Sequence, residues 1–253
     1  MPKNFADVPR TIDLNCDLGE GAGHDAELMP LITSTNIACG AHAGNLDTMI
    51  ETVELAAKRR VRIGAHPGYF DLEDFGRAER AIDSGEAARL VLIQIEQIYE
   101  IAAERLHHVK LHGALYHQVC REVSLAEAVV SELVRLWPDL IVYALAGSQL
   151  ARIARSRGLR VAEEVFADRS YQRDGSLTPR MQPGAVLRDE ATAAAQVLRM
   201  LREGVVRAVD GTDVPVKVDT ICLHGDGPNP VAFAQRLRDE LKQAGYSLKA
   251  FNG

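Results

Sequence analysis

Nowhere does this chain of 253 residues run to the roughly 20 consecutive apolar residues that a membrane span requires. Cysteine is scarce and unpaired. Cys16, Cys39, Cys120 and Cys222 lie far apart with no C-x-x-C, so neither a zinc knuckle nor a dithiol redox motif is indicated. Two of them end apolar runs, as reduced, buried thiols of a cytosolic protein do. Basic excess is missing too: a net charge of -6 and a pI near 5.8 give no footprint for nucleic acid. No phosphate loop of the form G-x-x-x-x-G-K-[ST] occurs, and "GEGAGH" at 19–24 lacks the third glycine of a dinucleotide fingerprint. No low-complexity segment or Pro/Gly/Ser linker divides the chain, so one domain over residues 1–253 is expected. The opening "MPKNFADVPRT" has no apolar h-region, so no secretory signal is expected and the reading is cytoplasmic.

What is present is the composition of an ordinary globular enzyme, 47% apolar and 25% charged. Short β-like runs are expected at Thr11–Cys16, Thr35–Cys39, Val61–Ala65, His108–His112, Leu140–Ala144, Arg160–Phe166 and Asp219–His224. Amphipathic stretches alternate with them: one starts at Asp47, one covers Ser84–Leu106, and others cover Ser124–Leu136, Ser148–Arg157, Asp189–Arg202 and Val231–Ala244. "AVDGTDVPVKV" reads as a small hairpin turning at Asp210-Gly211, and "YSLKAF" as a last strand or edge segment. Strand and helix in alternation imply a parallel α/β fold. Without a phosphate fingerprint after the first strand, a single β/α barrel of about seven strands is favoured over an open sheet.

Four of these runs end alike. "IACGAH" ends in His42, "RIGAH" in His66, "VKLH" in His112, and "ICLHGDG" in His224 followed by Gly225 and Asp226. "TIDLNCDLGE" ends in Asp17 with Glu20 beyond. In α/β barrels the strand C-termini share one face, and that face carries the site. A lone histidine there is an ordinary turn residue; four at equivalent positions make a set. Side chains alternate with period two, so Asp13, Asn15 and Asp17 point into the barrel, as do Lys110 and His112. An inward lysine needs a partner, and Asp13 or Asp17 supplies one. Lys110 is then either a structural ion pair or a group that meets substrate charge. Glu164 is a better inward candidate than Glu163, and the polar segment after it, with Asp168, Arg169, Tyr171, Arg173 and Arg180, is either a solvated loop or a lid. His107 and His108, where a helix ends and a strand begins, read as surface or terminus-compatible residues.

The blocks "DLNCDLGEG", "NIACGAHAG", "GAHPGYFDLEDFGR", "VKLHGALYH", "EVFADRSYQRDGSLTPR" and "CLHGDGP" together resemble the ordered signature of the LamB/YcsF family, the A subunits of 5-oxoprolinase, over about residues 11–250. The resemblance implies a barrel related to the glycoside hydrolase/deacetylase superfamily. It also implies ATP-dependent opening of 5-oxoproline (pyroglutamate) to L-glutamate, together with subunits B and C. ATP would then be handled by those partners, since this chain lacks a phosphate loop. On this reading Asp17, His42, His66, Lys110 and His112 carry catalysis. Asn15, Glu164, Arg169, His224 and Asp226 bind substrate, with Arg77 and Arg180 as further candidates for clamping its carboxylate. Asp17, His42 and His66 also form an Asp-His-His set of the kind related deacetylases use for a divalent ion. A metal-dependent deacetylase, a non-catalytic substrate-docking component and a homo-oligomer are left open.

Overall fold

Seven apolar runs become parallel strands that close on themselves. The computed structural model describes residues 11–225 and 229–253. Its strands are β1 (Thr11–Leu18), β2 (Ser34–Ala38), β3 (Arg62–His66), β4 (Leu106–Lys110), β5 (Ile141–Leu145), β6 (Val161–Phe166), β7 (Val205–Arg207), β8 (Asp213–Pro215), β9 (Thr220–His224) and β10 (Ser247–Leu248). The barrel runs β1-β2-β3-β4-β5-β6-β9, and β9 pairs back onto β1. β10 adds a short rung beside Thr11 and Ile12, while β7 and β8 form a separate antiparallel hairpin. Around the barrel stand α1 (Asp25–Leu28), α2 (Leu46–Arg59), α3 (Ser84–Ala102), α4 (Gly113–Arg121), α5 (Val123–Leu136), α6 (Gln149–Ser156), α7 (Glu190–Glu203) and α8 (Pro230–Gln243).

Local chemistry sets the boundaries. Asn45, Asp83, Ser148 and Asp189 cap α2, α3, α6 and α7, each accepting a backbone N–H of the first turn. α3 stops at Ala102 and not at Leu106, because Ala103 turns to φ 49°. β4 ends at Lys110 and not at His112: the His112 N–H leaves the ladder for the Pro67 carbonyl at 2.7 Å, and α4 begins at Gly113. The hairpin turns at Asp210-Gly211 as expected, and its first strand, Val205–Arg207, starts before the stretch that suggests it.

The apolar core lies between barrel and helices, where Leu14, Ile37, Val53, Ile95, Val197 and Leu237 are fully buried. The barrel's interior is polar. In β1, Asp13, Asn15 and Asp17 share the inward face, all 5% exposed or less. Asp13 accepts hydroxyls from Thr33 at 2.5 Å, Thr220 at 2.6 Å, Ser34 at 2.8 Å and Tyr143 at 2.9 Å. These bonds offset part of the desolvation, yet burial still holds the Asp13 carboxyl above the usual range.

His108 is not a surface residue. It is fully buried inside the barrel, stacked on Tyr143 at 4.0 Å and bonded to Asn36 Oδ1 at 2.8 Å. Gly64 on the adjacent strand makes this possible, since a Cβ there would lie 2.2 Å from His108 Nε2. Below, Phe251 packs on Ile141, Tyr143 and Ala162, and the Arg160 guanidinium donates to the Asn252 carbonyl at 3.2 Å. The C-terminal segment thus covers the end of the barrel opposite the strand C-termini.

Candidate active site

The loops after β1, β2, β3, β4 and β9 bring their ionisable side chains to one mouth. The small residues around His42 allow close backbone approach. Gly44 has φ +74°, and a Cβ on it would sit 2.5 Å from the Gly19 carbonyl oxygen; a Cβ on Gly76 would sit 2.9 Å from the Cβ of His42. The rings of His42 and His112 stack at 3.7 Å, and His66 stands edge-on to both.

Two groups of side chains meet at this mouth. In the first, His42 Nε2, His112 Nδ1 and His66 Nε2 lie 3.4, 3.5 and 3.9 Å from Glu20 Oε1. The second is centred on Lys110. Its ammonium faces Asp17 Oδ1 at 2.8 Å, Glu164 Oε1 at 3.0 Å, Cys222 Sγ at 3.0 Å and Asn15 Oδ1 at 3.3 Å. Tyr116 donates its hydroxyl to the other Glu164 oxygen at 2.7 Å, and Asn36 donates to Asp17 Oδ1 at 2.8 Å. His66 links the groups, its Nε2 3.3 Å from Asp17 Oδ2.

Electrostatics separate the histidines. Burial, with His66 nearby, drives His42 down to about 3, and burial beside His42 and His66 holds His112 well below its ordinary value. His224 goes the other way. Burial would lower it, but the Asp168 carboxylate, 2.9 Å from Nδ1, outweighs burial and raises it. For Asp17, burial is overcome by His66 and Lys110, which hold the carboxyl well below the usual range.

Asn15, Asp17, His42, His66, Lys110, His112, Glu164 and His224 therefore lie at or beneath one mouth, with Glu163 outside the barrel, bonded to Arg155 at 2.8 Å. Arg169 is turned elsewhere. Its guanidinium donates to the carbonyls of Thr178 at 2.6 Å and Ala185 at 3.3 Å, bracing its own loop. Asp226 lies outside the described residues. Three participants have no role assigned from sequence. Glu20 sits past the strand, where parity has no force. Asp168 shares the parity of Glu164, a signal the sequence does contain. Tyr116 lies on α4, a helix the pattern does not reveal.

A small polar cavity of about 50 Å³, lined by Asp17, Glu20, His66, Lys110 and His112, opens outward. Arg77, Gly113, His117, Arg180 and His224 line both it and a much wider cleft of about 1490 Å³.

The A subunit of 5-oxoprolinase from Brevibacillus brevis is 47% identical over 249 residues, covering 95% of this chain and 98% of the relative. Its counterpart from Shouchella clausii is 49% identical with the same coverage. The crystal structure of a lactam utilization protein from Thermus thermophilus superposes with a TM-score of 0.87 at 42% identity, covering 95% of this chain and all of that one. At 12% identity, with a TM-score of 0.50 over 99% of this chain and 92% of the other, the catalytic domain of a peptidoglycan N-acetylglucosamine deacetylase from Eubacterium rectale shares the fold alone. The LamB/YcsF family model matches residues 12–253, and the chain belongs to that family.

Proposed function

We propose that this chain is the A subunit of an ATP-dependent 5-oxoprolinase, opening the lactam of 5-oxoproline to L-glutamate with subunits B and C. Its near-full-length likeness to proteins named as the A subunit of 5-oxoprolinase carries this reading. A five-membered lactam is a resonance-stabilised amide and a poor electrophile. Phosphorylation of its oxygen by ATP makes the carbonyl carbon open to water, and subunits B and C supply that step.

The small cavity takes the reacting carbonyl, and the arginines at its neck, Arg77 and Arg180, face the substrate carboxylate. Lys110 keeps Asp17 ionised and holds the Glu164 carboxyl in place. Asp17 orients the attacking water beside the histidine cluster and accepts its proton. His224, oriented by Asp168, gives its proton to the departing ring nitrogen as the C–N bond breaks, and a second water hydrolyses the resulting acyl phosphate to L-glutamate and inorganic phosphate. The wide cleft far exceeds the needs of a single 5-oxoproline, and it is where a partner protein reaches the site.

The test is isotope-traced conversion of 5-oxoproline with ATP, by this chain with and without subunits B and C. Glutamate formed only by the full set supports the reading. Conversion by B and C alone would reduce this chain to a docking component, and turnover of an acetylated sugar instead would favour a deacetylase. ATP turnover by this chain alone, dependent on 5-oxoproline, would overturn the division of labour.

A further inference from the structure

Donor atoms converge twice at the barrel mouth: Asp17, Cys222 and His224 in one place, and Glu20, His42, His66 and His112 in another. The first already holds a cation. The Lys110 ammonium lies 2.8 Å from Asp17 and 3.0 Å from Cys222. In the second, the hydrogen bonds of the rings conflict with one another. His66 Nδ1 donates to the Lys110 carbonyl at 2.8 Å, which leaves the lone pair of the ring on Nε2. His112 Nε2 donates to the Phe75 carbonyl at 2.9 Å, which leaves its lone pair on Nδ1. With both rings neutral, these two atoms face each other at 2.9 Å, lone pair against lone pair, with the Glu20 carboxylate on the same spot. His42 adds a third ring, and its buried Nδ1 has no partner among the described residues. Backbone carbonyls that fix the remote nitrogen of a histidine are the usual outer support of a metal ligand.

We propose that Glu20, His42, His66 and His112 hold a divalent cation, with Asp17 outside its ligand set. This rests on the 5-oxoprolinase reading only for its use, not for its existence. Three imidazoles and one carboxylate suit a borderline ion such as Zn²⁺ or Co²⁺ better than Mg²⁺ or Ca²⁺. When bound, such an ion supplies Lewis acidity and a more acidic water. Asp17 Oδ1 is committed to Lys110 and Asn36, and Asp17 does not converge with the other four donors, which leaves its Oδ2, 3.3 Å from His66 Nε2, to the substrate or water.

The test uses the full chain, stripped with chelator and titrated calorimetrically with Zn²⁺ and Co²⁺. One ion per chain is expected. Glu20→Gln and His112→Asn should each weaken binding by about tenfold or more, whereas Asp17→Asn should change it by less than about threefold. Because a variant can misfold, the same question is put to the unaltered protein: an anomalous difference map from crystals grown with Co²⁺ should place one peak among these four side chains. A stripped, fully folded chain that binds neither ion would overturn the proposal and leave a shared proton between His66 and His112. A peak held by Asp17, His42 and His66 without Glu20 would overturn it too. Neither measurement needs ATP or a partner, so its outcome is independent of whether 5-oxoproline is turned over.

Discussion

Lys110 has four polar neighbours for three N–H groups, which leaves no donor to spare for a substrate. Its charge acts by holding two carboxylates in the barrel. Lys110→Met is therefore expected to destabilise the fold by about 3–5 kcal/mol in denaturant unfolding, as stranded buried charges do. A normal unfolding midpoint with turnover down about 10²-fold would instead place the lysine at transition-state charge. The His224–Asp168 pair makes a different prediction. His224 has a raised folded pKa, so its protonated form, and the stability that comes with it, is present below the ordinary value of 6.5 and lost as pH rises through the folded value. Asp168→Asn removes the cause of the rise. The alkaline limb of kcat/KM should move to lower pH, with activity above neutrality down by about tenfold or more; an unmoved limb would rule His224 out as the proton donor. Much at this scale is legible in the sequence. His42, His66, His112 and His224 announce themselves by ending strands, and Lys110 by sharing the parity of His112. His108 shares the parity of Lys110 and His112, a signal for an inward side chain; what no local pattern contains is the room for its ring, which a glycine one strand away provides.

At the scale of the element, β3 and β4 fit only because Gly64 leaves room for the His108 ring. Gly64→Ala should cost about 1–3 kcal/mol through overpacking. Adding His108→Ala should recover part of that loss; melting temperatures of the two variants check it, and no recovery would mean that the clash is relieved elsewhere. The long amphipathic helices and the seven strands are visible in the sequence because their periods differ so plainly. α4 is not. It is short, it begins directly at the end of "VKLH", and its buried face includes Tyr116 and Gln118, whose polar groups break the apolar rhythm. Strand β4 reads as too long for a related reason, since Leu111 and His112 continue the alternation after the ladder has ended.

For the whole molecule, acid is the weak side. Burial lowers His107 and His117 to about 4, and holds His108 well below its ordinary value. A histidine whose folded pKa is depressed contributes stability that is present above 6.5 and is lost as pH falls towards the folded value. Unfolding free energy should drop between about pH 6.5 and 4 by up to roughly 1.4 kcal/mol per pH unit for each such group. Chemical denaturation across that range measures the slope, and a flat profile would contradict these burials. The wide cleft sets a second expectation. Arg77, Arg121, Arg152, Arg169, Arg180 and Arg188 line it against Glu79, Asp168, Asp174 and Glu190, in a chain whose net charge is -6. Arg152→Glu combined with Arg188→Glu should weaken association with the proposed partner subunits by about tenfold or more in sedimentation or calorimetry. Unchanged association would move the docking face away from the mouth.

Phe251 and the Arg160–Asn252 contact cover the far end of the barrel. The small cavity at the mouth is floored by the buried Lys110, His108 and Asp13 side chains and is therefore a cul-de-sac, and reactant and product must use the same doorway in turn. Glutamate lingering past the Arg77–Arg180 neck would block the next lactam, which makes it a competitive inhibitor against 5-oxoproline.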